Sequence, residues 1–141
     1  YELIFPGFSG KEQRYMLATL EITDTVGNAL ERLSDLTSDV TVLDFVDDDW
    51  ILDVATQLAI IKVSSEEIQK LTPPPAFESI HGLLVQALEL YAQSADNLAL
   101  GIDNLDAGLI NQAVSEMDQG RALVEQATTE MGRLREERQV S

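Results

Sequence analysis

One histidine, no cysteine and a single Glu-x-x-His step are what this 141-residue chain offers to metal and nucleophile chemistry. Glu78-Ser79-Ile80-His81 sets a carboxylate and an imidazole three residues apart, the spacing with which helices of di-iron bundles grip one metal. Such a centre takes two of these pairs on different helices, and a lone histidine supplies one. Haem held by His81 with Met16 or Met117 is chemically allowed, yet no Cys-x-x-Cys-His attachment occurs. Asp47-Asp48-Asp49 carries the hard oxygen ligands calcium prefers, but no glycine follows at the turn position and no glutamate closes a twelve-residue loop. Without cysteine only a Ser-His-acid arrangement remains for nucleophilic catalysis, and neither a Gly-x-Ser-x-Gly elbow nor a glycine-rich phosphate loop is present. The expectation is a chain that is not an enzyme, with no catalytic residues, no metal and no cofactor.

The same residues have structural readings. Acids ahead of Trp50 suit an N-cap and first helical turn at the positive end of a helix dipole. His81 follows a Phe77, His81, Leu84, Leu88 line at a core edge, and Trp50 anchors a hairpin or core. Met16, Met117 and Met131 fall on or near apolar seams as filler. If a small ligand sits between helices, Trp50, His81 and Tyr91 are the candidate ligand-binding residues, each with an apolar body and a polar tip.

Leu71-Thr72-Pro73-Pro74-Pro75-Ala76-Phe77 divides the elements that must position these side chains, because three prolines cannot lie inside a helix. Around it the spacing predicts four helices, at about 10–36, 44–71, 77–103 and 107–137, after an N-terminal strap over 1–10. Ser9 and Glu12 form a capping box for the first, whose seam runs Tyr15, Thr19, Ile22, Val26, Ala29, Leu33, Leu36. Gly27 is an interior cost there, tolerable if another helix passes close. A second box, Ser64 with Glu67, predicts a kink or a break and restart in helix two. Thr37 to Val42 serves as the first connection, and alternation is brief and confined to Val40 to Val46, so no strand is expected. The short, cap-rich turn Asp103 to Asp106 folds helix four back on helix three. That register sets Leu84 opposite Ala127, Tyr91 opposite Gly120, Leu98 opposite Ala113, Gly101 opposite Ile110, Ser94 opposite Met117 and Ala87 opposite Val124, large against small throughout. The fold class is all-α, an antiparallel up-down-up-down four-helix bundle over 11–139.

Charge narrows the partners. Twenty-five acids against nine bases give a net charge of −16, which repels phosphate backbones, so nucleic acid is excluded as a partner. An unidentified protein or a small ligand remains. No apolar run reaches the roughly 18 residues a bilayer span takes.

The order of landmarks resembles uncharacterised bacterial extracytoplasmic domains, many of them lipoproteins, in which a helical bundle follows a signal peptide and a polar linker. It is carried by Asp49-Trp50 opening a helix, Leu71-Thr72-Pro73-Pro74, His81 before Leu83-Leu84, Gly101-Ile102-Asp103, and the Ala113, Gly120, Ala127 spacing, over roughly residues 11 to 137. The resemblance implies a location in the cell envelope or on the outer surface, with a signal peptide or lipid anchor upstream of Tyr1, and brings no catalytic residues. The expected role is a non-enzymatic interaction or structural module; the alternative is a sensory or small-ligand-binding bundle with its site between helices. A membrane helix following helix four would mark the second.

Overall fold

The structure, a computed structural model, describes residues 7–38 and 47–140. Four helices account for almost all of them: α1 (Gly10–Thr37), α2 (Asp48–Lys70), α3 (Glu78–Asn104) and α4 (Ala107–Val140), with no strand among the described residues. Each packs on its successor, α1 on α2, α2 on α3 and α3 on α4, whereas α1 and α4, which would close the ring, barely meet. The chain is an all-α four-helix bundle with one open side.

Local chemistry sets the helix ends. The Ser9 hydroxyl accepts from the Glu12 N–H at 3.1 Å while the Glu12 carboxylate accepts from the Ser9 N–H at 3.0 Å, the reciprocal box the sequence predicts. Asp47 caps α2 by accepting from the Asp49 and Trp50 N–H groups, with Asp48 and Asp49 in the first turn. The prolines end α2 at Lys70, and a single 3-10 turn, Pro75–Phe77, leads into α3. Leu105 ends α3 in the left-handed conformation at φ 52°, and Asp106 accepts from the Gly108 and Leu109 N–H groups to start α4.

Of the kink or break expected in helix two, the break does not occur, and the condition set for Gly27 is not met. α2 runs unbroken through Ser64 and Ser65, so the second capping box produces no restart. Both serines are buried on the face that carries Leu58, Ile61 and Ile68, and burial of that continuous face overrides the local capping preference. At Gly27 no helix passes close, because a Cβ there would meet nothing within 4 Å. The expected α2 start at 44, most of the first connection, residues 1–6 of the strap and the alternation at Val40 to Val46 lie outside the described residues.

The α3–α4 register is the one the sequence predicts. A Cβ on Gly120 would lie 2.6 Å from Tyr91 Cε1 and 3.1 Å from the Ala87 carbonyl oxygen, and one on Gly101 would lie 2.8 Å from Ile110 Cγ1. Hydrogen bonds from Ser79 to Glu130 and from Asn97 to Glu116 flank the same alignment. Ala113 and Ala127 are buried on this seam, which lets the two helices approach as closely as a glycine beneath a tyrosine ring permits. Gly120→Ala should therefore lower stability by about 1–3 kcal/mol through overpacking, although alanine is the better helix former. Gly27→Ala, made into open space, should raise it by about 0.5–1 kcal/mol. Urea denaturation of the two variants checks both signs; equal stabilisation would mean α4 is not seated on α3 in this register.

Candidate functional site

Residues from the start of the chain, the α2–α3 connection and the end of α4 meet at one pole of the bundle. Gly7, at φ 87°, lies against the α4 backbone, where a Cβ would fall 2.8 Å from the Arg138 carbonyl oxygen. Phe8 is thereby turned into the core, packing on Phe77 with ring centroids 5.8 Å apart, and the Arg138 guanidinium lies over its other side at 5.0 Å. Gln13, fully buried, donates to the Phe8 carbonyl at 3.0 Å. Arg138 completes the clasp with two parallel bonds to Glu12, at 2.9 and 2.8 Å, and a third to the Gly7 carbonyl at 3.2 Å. Its guanidinium holds the Glu12 carboxyl below the ordinary value of 4.5, against burial, which pushes the other way.

His81 belongs to this pole. Its Nδ1 shares a 2.8 Å hydrogen bond with the buried Tyr15 hydroxyl, and Tyr15 packs on Phe77 at 5.3 Å. Burial pushes the Tyr15 phenol above its usual range and the His81 imidazole below its ordinary 6.5, so both groups stay neutral at neutral pH. Glu78, the carboxylate of the Glu-x-x-His step, is exposed. No group of three or more His, Cys, Asp or Glu side chains among the described residues is placed to hold a metal ion.

The three candidate ligand-binding residues are not brought together. Trp50 lies at the opposite pole, its indole N–H donating to the Leu36 carbonyl at 2.9 Å, which ties the end of α1 to the start of α2. Tyr91 is ten residues from His81, about 15 Å along α3, with its ring on Gly120 and its phenol pushed up to about 12 by burial. Of the three, Tyr91 faces a cleft between α1 and α4.

That cleft is the concave surface the sequence reading missed. It runs along the open side of the bundle in three stretches of about 260, 230 and 130 Å3. Thr23 and Val124 line both of the first two stretches, and Leu30 and Arg121 both of the last two, so they form one groove. Its floor is α3, through Ile80, Leu84, Leu88 and Leu98; its walls are Met16, Leu20 and Leu30 on α1 and Met117, Val124 and Met131 on α4. The α4 wall residues are only half-buried because α1 does not close over them. A second furrow, about 620 Å3, lies between α1 and α2 and mixes Ile22 and Ala59 with Glu21, Glu67, Thr25 and Thr56; those helices pack together beneath it. The sequence carries no direct signal for the groove: the small residues at 113, 120 and 127 mark the face of α4 that meets α3, not how far α1 stands from α4.

No family model, curated protein or solved structure matches this chain. No described helix is long and apolar enough to cross a membrane.

The two titrating contacts of the pole fix an acid response. Both groups have folded-state values below their unfolded ones, so the unfolded chain binds more protons and stability falls as pH falls. His81 should act first, beginning near its unperturbed 6.5, and Glu12 only below about 4.5. Melting temperatures between pH 4 and 8 should show His81→Gln abolishing the upper decline and Glu12→Gln flattening the lower one. Each contributes about 1 kcal/mol or less, given partial solvent exposure. A His81→Gln profile that still declines from pH 6.5 would place the titrating group elsewhere.

Proposed function

We propose that this chain is a non-enzymatic helical-bundle module that acts by binding, and that the α1–α4 groove is its binding face. The observation that carries the reading is that the fourth side of the bundle stays open along most of its length while the other three are packed. An elongated apolar groove on a chain of net charge −16 offers an occupant a concave surface where apolar area leaves water on binding. Aromatic and titratable groups at the clasp pole are engaged with one another and hold the groove's end in place. An extracytoplasmic location, tethered through a lipid anchor or signal segment upstream of Tyr1, is supported by the order of landmarks along the sequence.

Small-ligand sensing is favoured over a purely structural role by the first stretch of the groove, which is walled on three sides by α1, α3 and α4. The neutral fluorophore N-phenyl-1-naphthylamine should bind the native bundle at one site, with unchanged affinity in strong chelator. Thr23→Trp, which fills the junction of the first two stretches, should reduce that affinity at least tenfold. Ala59→Trp, in the α1–α2 furrow, should leave it unaltered. Absence of fluorophore binding, or the reverse ranking of the two variants, would remove the groove as the binding face.

A further inference from the structure

We propose that the first two stretches of the groove hold an anionic amphiphile, a single acyl chain ending in a carboxylate, with its head on Arg135 and its tail running past Val124 towards Tyr91. This rests on the reading of the α1–α4 groove as the binding face and adds the chemical class of its occupant.

Shape argues for one chain. The two stretches, about 260 and 230 Å3 and joined at Thr23 and Val124, together reach the roughly 300–1,000 Å3 of small-molecule sites, and they lie end to end between two helices. Met16 and Met131 both line the first stretch, and unbranched, polarizable side chains of this kind adapt to a flexible hydrocarbon better than branched ones do.

Charge argues for an anion, and for its position. Arg135 lines the first stretch, and no carboxylate does. It forms no ion pair among the described residues, whereas Arg121, further along the groove, is paired with Asp118 at 3.4 Å, and Arg138 is held by Glu12 at 2.8 Å. Glu31 and Glu125 line the second stretch and would repel a carboxylate placed there. The head therefore belongs at the Arg135 end, three residues short of the Arg138 clasp that closes that pole. In a chain of net charge −16, most of the surface repels anions, so the local cation selects the head while burial of the tail supplies the affinity.

Competition against N-phenyl-1-naphthylamine tests the assignment, using dodecanoate, dodecanol and dodecyltrimethylammonium at pH 8 below their micellar concentrations. Dodecanoate should compete about fivefold better than dodecanol, the gain one exposed ion pair can give, and the cationic chain should compete worst. Arg135→Gln should erase the preference of carboxylate over alcohol with the alcohol itself unchanged, and Arg135→Lys should retain most of it. Equal competition by all three heads, or a preference that survives Arg135→Gln, would overturn the proposal while leaving the groove as an apolar binding face. No fluorophore binding by the native chain would overturn both. A sedimentation profile showing a dimer that dodecanoate does not dissociate, with the fluorophore excluded, would assign the groove to a second copy of the chain and overturn the proposal too.

Discussion

The close approach of α4 to α3, set by Gly120 under the Tyr91 ring and Gly101 against Ile110, is the constraint from which the rest of the molecule follows. Helices come this near only when one side of the interface is almost bare. Ala113, Gly120 and Ala127 supply that side at seven-residue intervals, and Leu84, Tyr91 and Leu98 fill it from α3. The arrangement buries α3 deeply but leaves α4 with modest side chains facing elsewhere. Ile110, Met117, Val124 and Met131 reach partway towards α1 and remain half-buried. α1, for its part, packs on α2, tied at one end by the indole bond of Trp50 to Leu36. With both outer helices turned towards inner neighbours, the fourth side stays open.

A ring open on one side needs a tie, and the clasp at the N-terminal pole is that tie. Arg138 combines two charge-assisted bonds to Glu12, a bond to the Gly7 carbonyl and contact with the Phe8 ring. Partial burial makes this arrangement stronger than an ordinary surface pair: the Arg138 side chain is 29% exposed and that of Glu12 12%, against 52% and 66% for Arg121 and Asp118. Exposed pairs such as Lys62–Asp96 add little by comparison. The clasp joins residues 126 apart in the chain, so it fixes the distance between α1 and α4 at one pole.

Local and periodic features were legible in the sequence, and contacts between distant segments were not. Ser9 with Glu12, the acids before Trp50 and the triple proline each act within a few residues, so their consequences could be read directly. The α3–α4 register was legible because a short turn leaves a single antiparallel alignment in which large residues meet small ones. Ser64 and Glu67 misled because a capping pattern says nothing about whether its serine is buried, and burial decides here. Arg138 carries the clasp, and His81 pairs with Tyr15 rather than with Trp50 or Tyr91. Nothing local marks either partner. The groove was hidden for a related reason: a helical seam shows which face is apolar, not whether two such faces meet.

That difference between an apolar face and a closed interface bears on function. A bundle with α1 seated on α4 would bury the remaining exposed surface of the half-buried Met117, Val124 and Met131 and gain roughly 1 kcal/mol for each. The chain forgoes that stabilisation, and the residues along the gap are suited to a guest: threonines at 19, 23 and 128, exposed Gly27 where a side chain would have room, and methionines on both walls. Closing the gap would take only larger residues at a few of these positions, such as one at Gly27, which lines the second stretch with nothing within 4 Å of its absent Cβ. Gly27 thus leaves space beside the groove at a cost of about 1 kcal/mol in helix stability relative to alanine. On the proposed reading the open side would be the binding face, flanked by the packed α3–α4 seam and, at one pole, by the Arg138 clasp.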